Sequence, residues 1–170
     1  YSDSIENDAY GTTWATLDAK KQKSGKALTV MLEAHADEIG YMIKHVTKEG
    51  FLRLDRIGGS DSATARGRRL TILGDKGPVL GVIGNTAIHI RDRSHGEKAP
   101  EVHDLYVDVG ASSSKDVAKL GLRVGHPAVY VDSAEPFGTD GIVGRALDNR
   151  IGGFIIAQVL AKLNETKKKP

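Results

Sequence analysis

The chain has 170 residues, a formal net charge of +2 from 24 basic and 22 acidic side chains, and no cysteine. So even a balance leaves no electrostatic footprint for nucleic acid, and the missing thiols exclude disulfides, thiolate catalysis and Cys-type zinc sites together. No apolar run approaches the ~18 residues of a membrane span, no signal peptide opens the chain at Tyr1, and a cysteine-free composition fits a cytoplasmic location.

In chain order, residues 10–17 and 27–33 read as strands separated by a lysine-rich turn around Ser24-Gly25. Residues 39–46 and 51–57 predict a hairpin across Lys48-Glu49-Gly50, where Gly50 supplies the positive φ such turns need. Further strands are expected at 69–73, 79–83, 103–109, 127–131 and 141–145. Ser113, with Asp116 three residues on and Gly121 as a stop, predicts a short capped helix over 114–120. Ile151, Phe154, Ile155, Val159 and Leu163 recur at helical spacing and predict an amphipathic helix over 150–163. Strands, then many short strands, then a long helix argue for an α/β domain interrupted by a β-rich one. The expected division is 1–44 and 138–170 for the α/β domain and 45–137 for the insertion, with Pro136-Phe137-Gly138 as the exit linker.

The chemistry concentrates in Val30–Gly40, an apolar run that ends in His35-Ala36-Asp37-Glu38. If the extended backbone continues, His35 and Asp37 share a face. That geometry suits a divalent metal on the ring, with Asp37 holding the other ring N–H. The triplet spacing also arises in the polar stretch His95-Gly96-Glu97, so spacing alone leaves a plain surface histidine open. Asp148 stands where a strand gives way to the long helix. It can be an N-cap there. The N-cap is the plainer reading, but Asp148 could also meet His35 across 113 positions and bridge two cations.

Four stretches, HADEIGYMIK, GFLRLDRIGG, DLYVDVGASS and VGRALDNRIGG, resemble in order the tetrahedral (TET-type) and glutamyl aminopeptidase family of two-metal peptidases. The resemblance covers nearly the whole chain and is most specific in the paired H-x-D-E-I-G and A-L-D-D/N-R motifs. It implies a metallopeptidase (phosphorylase/hydrolase-like) α/β domain interrupted by a PDZ-like β-barrel domain that mediates dimerisation, with dimers assembling into dodecamers. It implies His35 as a terminal metal ligand, Asp37 as its orienting, catalytic carboxylate, and Asp148 as the ligand bridging two divalent ions, zinc or cobalt foremost. The activity implied is removal of N-terminal residues from peptides.

The family's downstream Glu-Glu pair, its later Asp and its late His have no counterpart here, so the chain reads as an internal portion of a longer enzyme that needs a C-terminal segment. Alone it is expected to be inactive. A non-catalytic assembly module is the alternative from another class, and an endoglucanase label the alternative within the family. Other histidines and acids (His45, His89, His95, Glu97, Glu101, His103, Asp104) read as packing or surface residues. The Gly58-Gly59 and 138–144 stretches lack phosphate-loop spacing. Ser112–Ser114 has a helix to cap and no adjacent base.

Overall fold

A computed structural model describes residues 1–18, 28–91 and 99–165. The lysine-rich turn at Ser24-Gly25 and the His95-Gly96-Glu97 stretch lie outside the described residues. The chain divides into two compact units, one formed by Tyr1–Asp37 with Ala146–Pro170 and the other by Glu38–Arg145. The first is therefore discontinuous. Its borders differ from 44/45 and 137/138, because the strand that begins at Gly40 already belongs to the second unit's sheet.

In the first unit, β1 (Ser4–Asn7) pairs antiparallel with β2 (Thr13–Thr16). Asp8 makes the turn between them, its Oδ1 accepting the N–H groups of Tyr10 and Thr12, both at 2.9 Å. Those bonds, foremost the one from Thr12, hold the Asp8 carboxyl below the usual carboxylate range. The expected strand 27–33 is not formed where described: residues 28–39 have no regular structure, and β2 pairs only with β1. With no neighbouring strand to take its backbone groups, the apolar run has no ladder to join. Leu28, Val30, Met31 and Leu32 all stay exposed.

The second unit is a closed barrel. Its strands are β3 (Gly40–Val46), β4 (Leu52–Ile57), β5 (Arg69–Gly74), β6 (Gly77–Gly84), β7 (Tyr106–Asp108) and β8 (Pro127–Tyr130), closing in the order β3-β4-β7-β6-β5-β8. The β3–β4 hairpin forms across the predicted turn, where Gly50 has φ +91° and a Cβ would lie 2.6 Å from the Ala111 carbonyl oxygen. Register slips by one residue between Ile43 and His45, a bulge that lets the strand bend into the closed wall. Alternate residues point inward, so Tyr41, Ile43, Leu52, Leu54, Leu70, Ile72, Ile83, Val107, Ala128 and Tyr130 fill the core. Each large aliphatic side chain there contributes about 1.5–3 kcal/mol over an exposed position. The Tyr41 and Tyr130 hydroxyls share a buried 2.9 Å hydrogen bond, and burial pushes the Tyr41 phenol up, above its ordinary range.

Two short helices brace the barrel. Helix α1 (Ser62–Ala65) is capped by Asp61, whose side chain accepts from the Ala63 N–H. Helix α2 (Ser114–Lys119) is capped by Ser113, as the sequence predicted. A three-membered cluster fastens the turn between β5 and β6 to the loop before β8. Asp75 accepts from Arg123 Nε (3.1 Å) and Nη2 (3.3 Å), and its Oδ1 lies 3.0 Å from Nε2 of the buried His126.

After β8 come β9 (Glu135–Phe137) and β10 (Gly141–Val143), an antiparallel pair, so Pro136-Phe137-Gly138 enters a hairpin and is no linker. His89 stands in a single 3-10 turn over Ile88–Ile90, closed by the Ile90 N–H on the Ala87 carbonyl. The barrel's first and last residues are ion-paired, with Arg145 Nε 3.2 Å from Glu38 Oε2. Arg145 also donates from Nη1 to the Tyr130 carbonyl at 2.6 Å. Helix α3 (Leu147–Glu165) returns the chain to the first unit and bends at Asp148 and Asn149, whose backbone angles are not helical. No described helix is long and apolar enough to cross a membrane.

Candidate metal centre

His35 and Asp37 stand on the irregular stretch before the barrel, and Asp148 at the bend that opens α3, all within the first unit. His35 Nδ1 lies 2.9 Å from Asp37 Oδ1, and its Nε2 lies 3.1 Å from Asp148 Oδ1. The imidazole is thus held between two carboxylates. The sequence expected Asp37 beside the ring through a continued strand; the contact forms, but on non-strand backbone.

The N-cap alternative for Asp148 is not realised. Asn149 takes that task, its Oδ1 accepting the Gly152 N–H at 3.1 Å, so the Asp148 carboxylate is left to face His35. The backbone makes this possible by leaving the helical region at both residues, with φ −88° and ψ 105° at Asp148. Two further ties join the segments. Arg150 Nε donates to the Ala36 carbonyl at 2.9 Å, and a Cβ at Gly152 would meet Asn149 Oδ1 and lie 2.9 Å from Ala34 Cβ. Arg150, Asn149 and Gly152 were legible only as members of the ALDNRIGG motif; nothing in their spacing announced these roles.

A neutral imidazole carries one N–H. It can therefore satisfy one of its two carboxylate neighbours, and the other contact calls for a second proton or a cation on the remaining nitrogen. The two donors that face each other, His35 Nε2 and Asp148 Oδ1, are 3.1 Å apart. That is about the separation of two ligands each ~2.0–2.1 Å from a single zinc ion. Among the described residues, no group of three or more His, Asp or Glu side chains surrounds a common ion position.

Among the described residues, the remaining histidines and acids do not converge. Glu101 and Asp104 cap each other's ends of a 3-10 turn over Val102–Asp104, and His103 Nε2 lies 3.6 Å from Asp104 on the surface. His45 is exposed on β3. His126, which the sequence did not single out, is buried and held by Asp75.

Residues 16–169 match the M42 glutamyl aminopeptidase family. The chain belongs to this family. Among its M42-type relatives, the protein SgcX of Escherichia coli is 36% identical over 126 residues, a match that covers 74% of this chain and 34% of the relative. A TET aminopeptidase structure from a marine-sediment thaumarchaeon superposes with a TM-score of 0.83 at 26% identity, covering 98% of this chain and 46% of that one. The Pyrococcus horikoshii TET1 peptidase, which can assemble into a tetrahedron or a large octahedral shell, superposes with a TM-score of 0.70 at 29% identity, covering 88% of this chain and 43% of that one. The fold is therefore the α/β fold of M42 neighbours with its sheet-dominated domain. In each of these matches the chain spans less than half of the other protein's length.

Proposed function

We propose that this M42 member removes N-terminal residues from peptides with two divalent ions, zinc or cobalt. His35 and Asp148 would hold the metal, with Asp148 as the ligand shared between the two ions. The observation that carries this reading is the imidazole poised between two carboxylates, 2.9 Å from one and 3.1 Å from the other. Asp37 accepts the Nδ1 proton, which fixes the tautomer and turns the Nε2 lone pair toward Asp148. When bound, the ions supply carbonyl polarisation and a coordinated water of lowered pKa.

Further polypeptide of the same protein would complete this unit. Leu28, Val30, Met31 and Leu32 on the irregular stretch, and Ile151, Phe154 and Ile155 on α3, are large apolar groups left exposed. A contiguous cover of that kind is what an α/β sheet and its following strands provide. The barrel, read as PDZ-like, would mediate self-association. Strands β5 and β6 carry Leu73, Leu80 and Val82 on their outer face, all exposed.

The deciding experiment uses the full-length protein, stripped with a chelator and reloaded with zinc or cobalt. Release of N-terminal residues from peptides should vanish on stripping and return with metal. Turnover that survives chelation would defeat the metallopeptidase reading. Chelator-insensitive hydrolysis of a glucan would favour a glycosidase, which works with two carboxylates and no metal.

A further inference from the structure

His35 and Asp148 are 113 positions apart and both exposed, so one 3.1 Å contact is a weak means of keeping their segments in register. The Arg150 side chain adds a second link at a telling point. Its Nε donates to the carbonyl of Ala36, the residue between His35 and Asp37, while its own N–H donates to the Ala146 carbonyl at 3.2 Å. Arg150 is thus anchored by its backbone to the Asp148 segment and by its side chain to the His35 segment. Fixing the Ala36 carbonyl fixes the plane of the Ala36–Asp37 peptide. That plane sets the direction from which the Asp37 carboxylate meets His35 Nδ1, and hence how Nε2 faces Asp148.

A guanidinium two residues from Asp148 repels a cation held there, so its presence weighs against metal affinity by Coulomb's law alone. The bond to the Ala36 carbonyl acts through geometry instead. Gly152 fits the same picture, because its missing Cβ is what allows α3 to approach Ala34 closely.

We infer that Arg150 is a positioning residue: through its bond to the Ala36 carbonyl it aligns His35 and Asp37 against Asp148 and so sets how tightly a divalent ion is held. The inference rests on the metal-centre reading above. It also separates three substitutions. Arg150→Gln keeps an N–H donor at the same place along the side chain as Nε and drops the charge. Arg150→Lys keeps the charge and moves the donor one bond further out. Arg150→Ala removes both.

The test is zinc affinity of the full-length protein by competition with a chromophoric chelator, with circular dichroism and the unfolding temperature as fold controls. Arg150→Ala and Arg150→Lys are expected to bind zinc ~10–100-fold more weakly, the usual loss when a group that orients a ligand is removed. Arg150→Gln is expected to stay close to wild type, and unfolding temperatures should move little because the bond is exposed. In turnover, the loss should fall on kcat at saturating zinc less than at limiting zinc. Wild-type zinc affinity in Arg150→Ala, or rescue by Lys where Gln fails, would overturn the inference and leave the metal centre standing. Should Arg150→Ala fail to fold, the Gln–Lys pair carries the comparison. A wild-type protein that retains no zinc would overturn the metal centre itself, and this inference with it.

Discussion

An imidazole has two nitrogens, and at His35 each has its own carboxylate, Asp37 on one side and Asp148 on the other. The two acids should differ in what they are worth. Asp148→Asn keeps the shape and loses the anionic oxygens, so zinc retention measured by elemental analysis should be abolished, as it should be in His35→Ala. Asp37→Asn leaves both facing donors in place and should weaken zinc retention ~10–100-fold, since it only orients the ring. Wild-type metal content in Asp148→Asn would remove that residue from the centre. The partners of His35, though not their roles, were legible in the sequence: an acid two positions from a histidine, and a second acid at a helix start. What could not be read was the competition for the helix cap. Asp148 and Asn149 are both good caps, and only the backbone bend decides that Asn149 takes the Gly152 N–H.

Among the elements, the β3–β4 hairpin and α2 were legible because their signals are local. Gly50 demands a turn with positive φ, and Ser113 with Asp116 makes a cap within one turn of helix. The expected strand 27–33 was misread, where described, for the opposite reason: an apolar β-branched run predicts a strand only if a neighbour exists to pair with it. Strand β1 escaped because SIEN carries little apolar pattern, and its pairing with β2 is set by the Asp8 turn. The link from the β5–β6 turn to the loop before β8 yields a pH prediction. Hydrogen bonds from Arg123 first, then His126, hold the Asp75 carboxyl below its ordinary value. A depressed carboxylate contributes stability that is present above its unfolded pKa of ~3.9 and is lost as pH falls through the lower folded value. The stability gap between wild type and Asp75→Asn, measured by denaturant unfolding at a series of pH values, should therefore be constant near neutrality and close below about pH 4. A gap that persists unchanged at lower pH would show that the charge of Asp75 does not matter to the barrel.

For the whole molecule, the discontinuous first unit means that the barrel can be tested by itself. Residues 38–145 hold a continuous buried core and a sheet with no open edge. Expressed alone, that segment should fold and self-associate, because Leu73, Leu80 and Val82 leave apolar surface on neighbouring strands. Leu80→Glu should shift sedimentation toward monomer without changing the circular dichroism spectrum. A strict monomer at high concentration in the unsubstituted segment would count against a role for the barrel in assembly. Strand order pointed to a β-rich segment in the middle of the chain, but the limits of the barrel were not legible. They are fixed by tertiary pairing, with Tyr41 and Met42 on β3 pairing with β8 nearly ninety residues later.

The Glu38–Arg145 pair has a consequence for the order of folding. To the first unit the barrel is a loop of 108 residues, and closing a flexible loop of about that length costs ~2 kcal/mol more than closing one of about ten. A barrel that has already formed, with its first and last residues clasped at 3.2 Å, spares the chain most of that difference. The insertion then behaves kinetically as a short link, delivering Asp37 and Ala146 as near neighbours before either segment has found its place. If the barrel assembles first, the meeting of His35 with Asp148 becomes a local event.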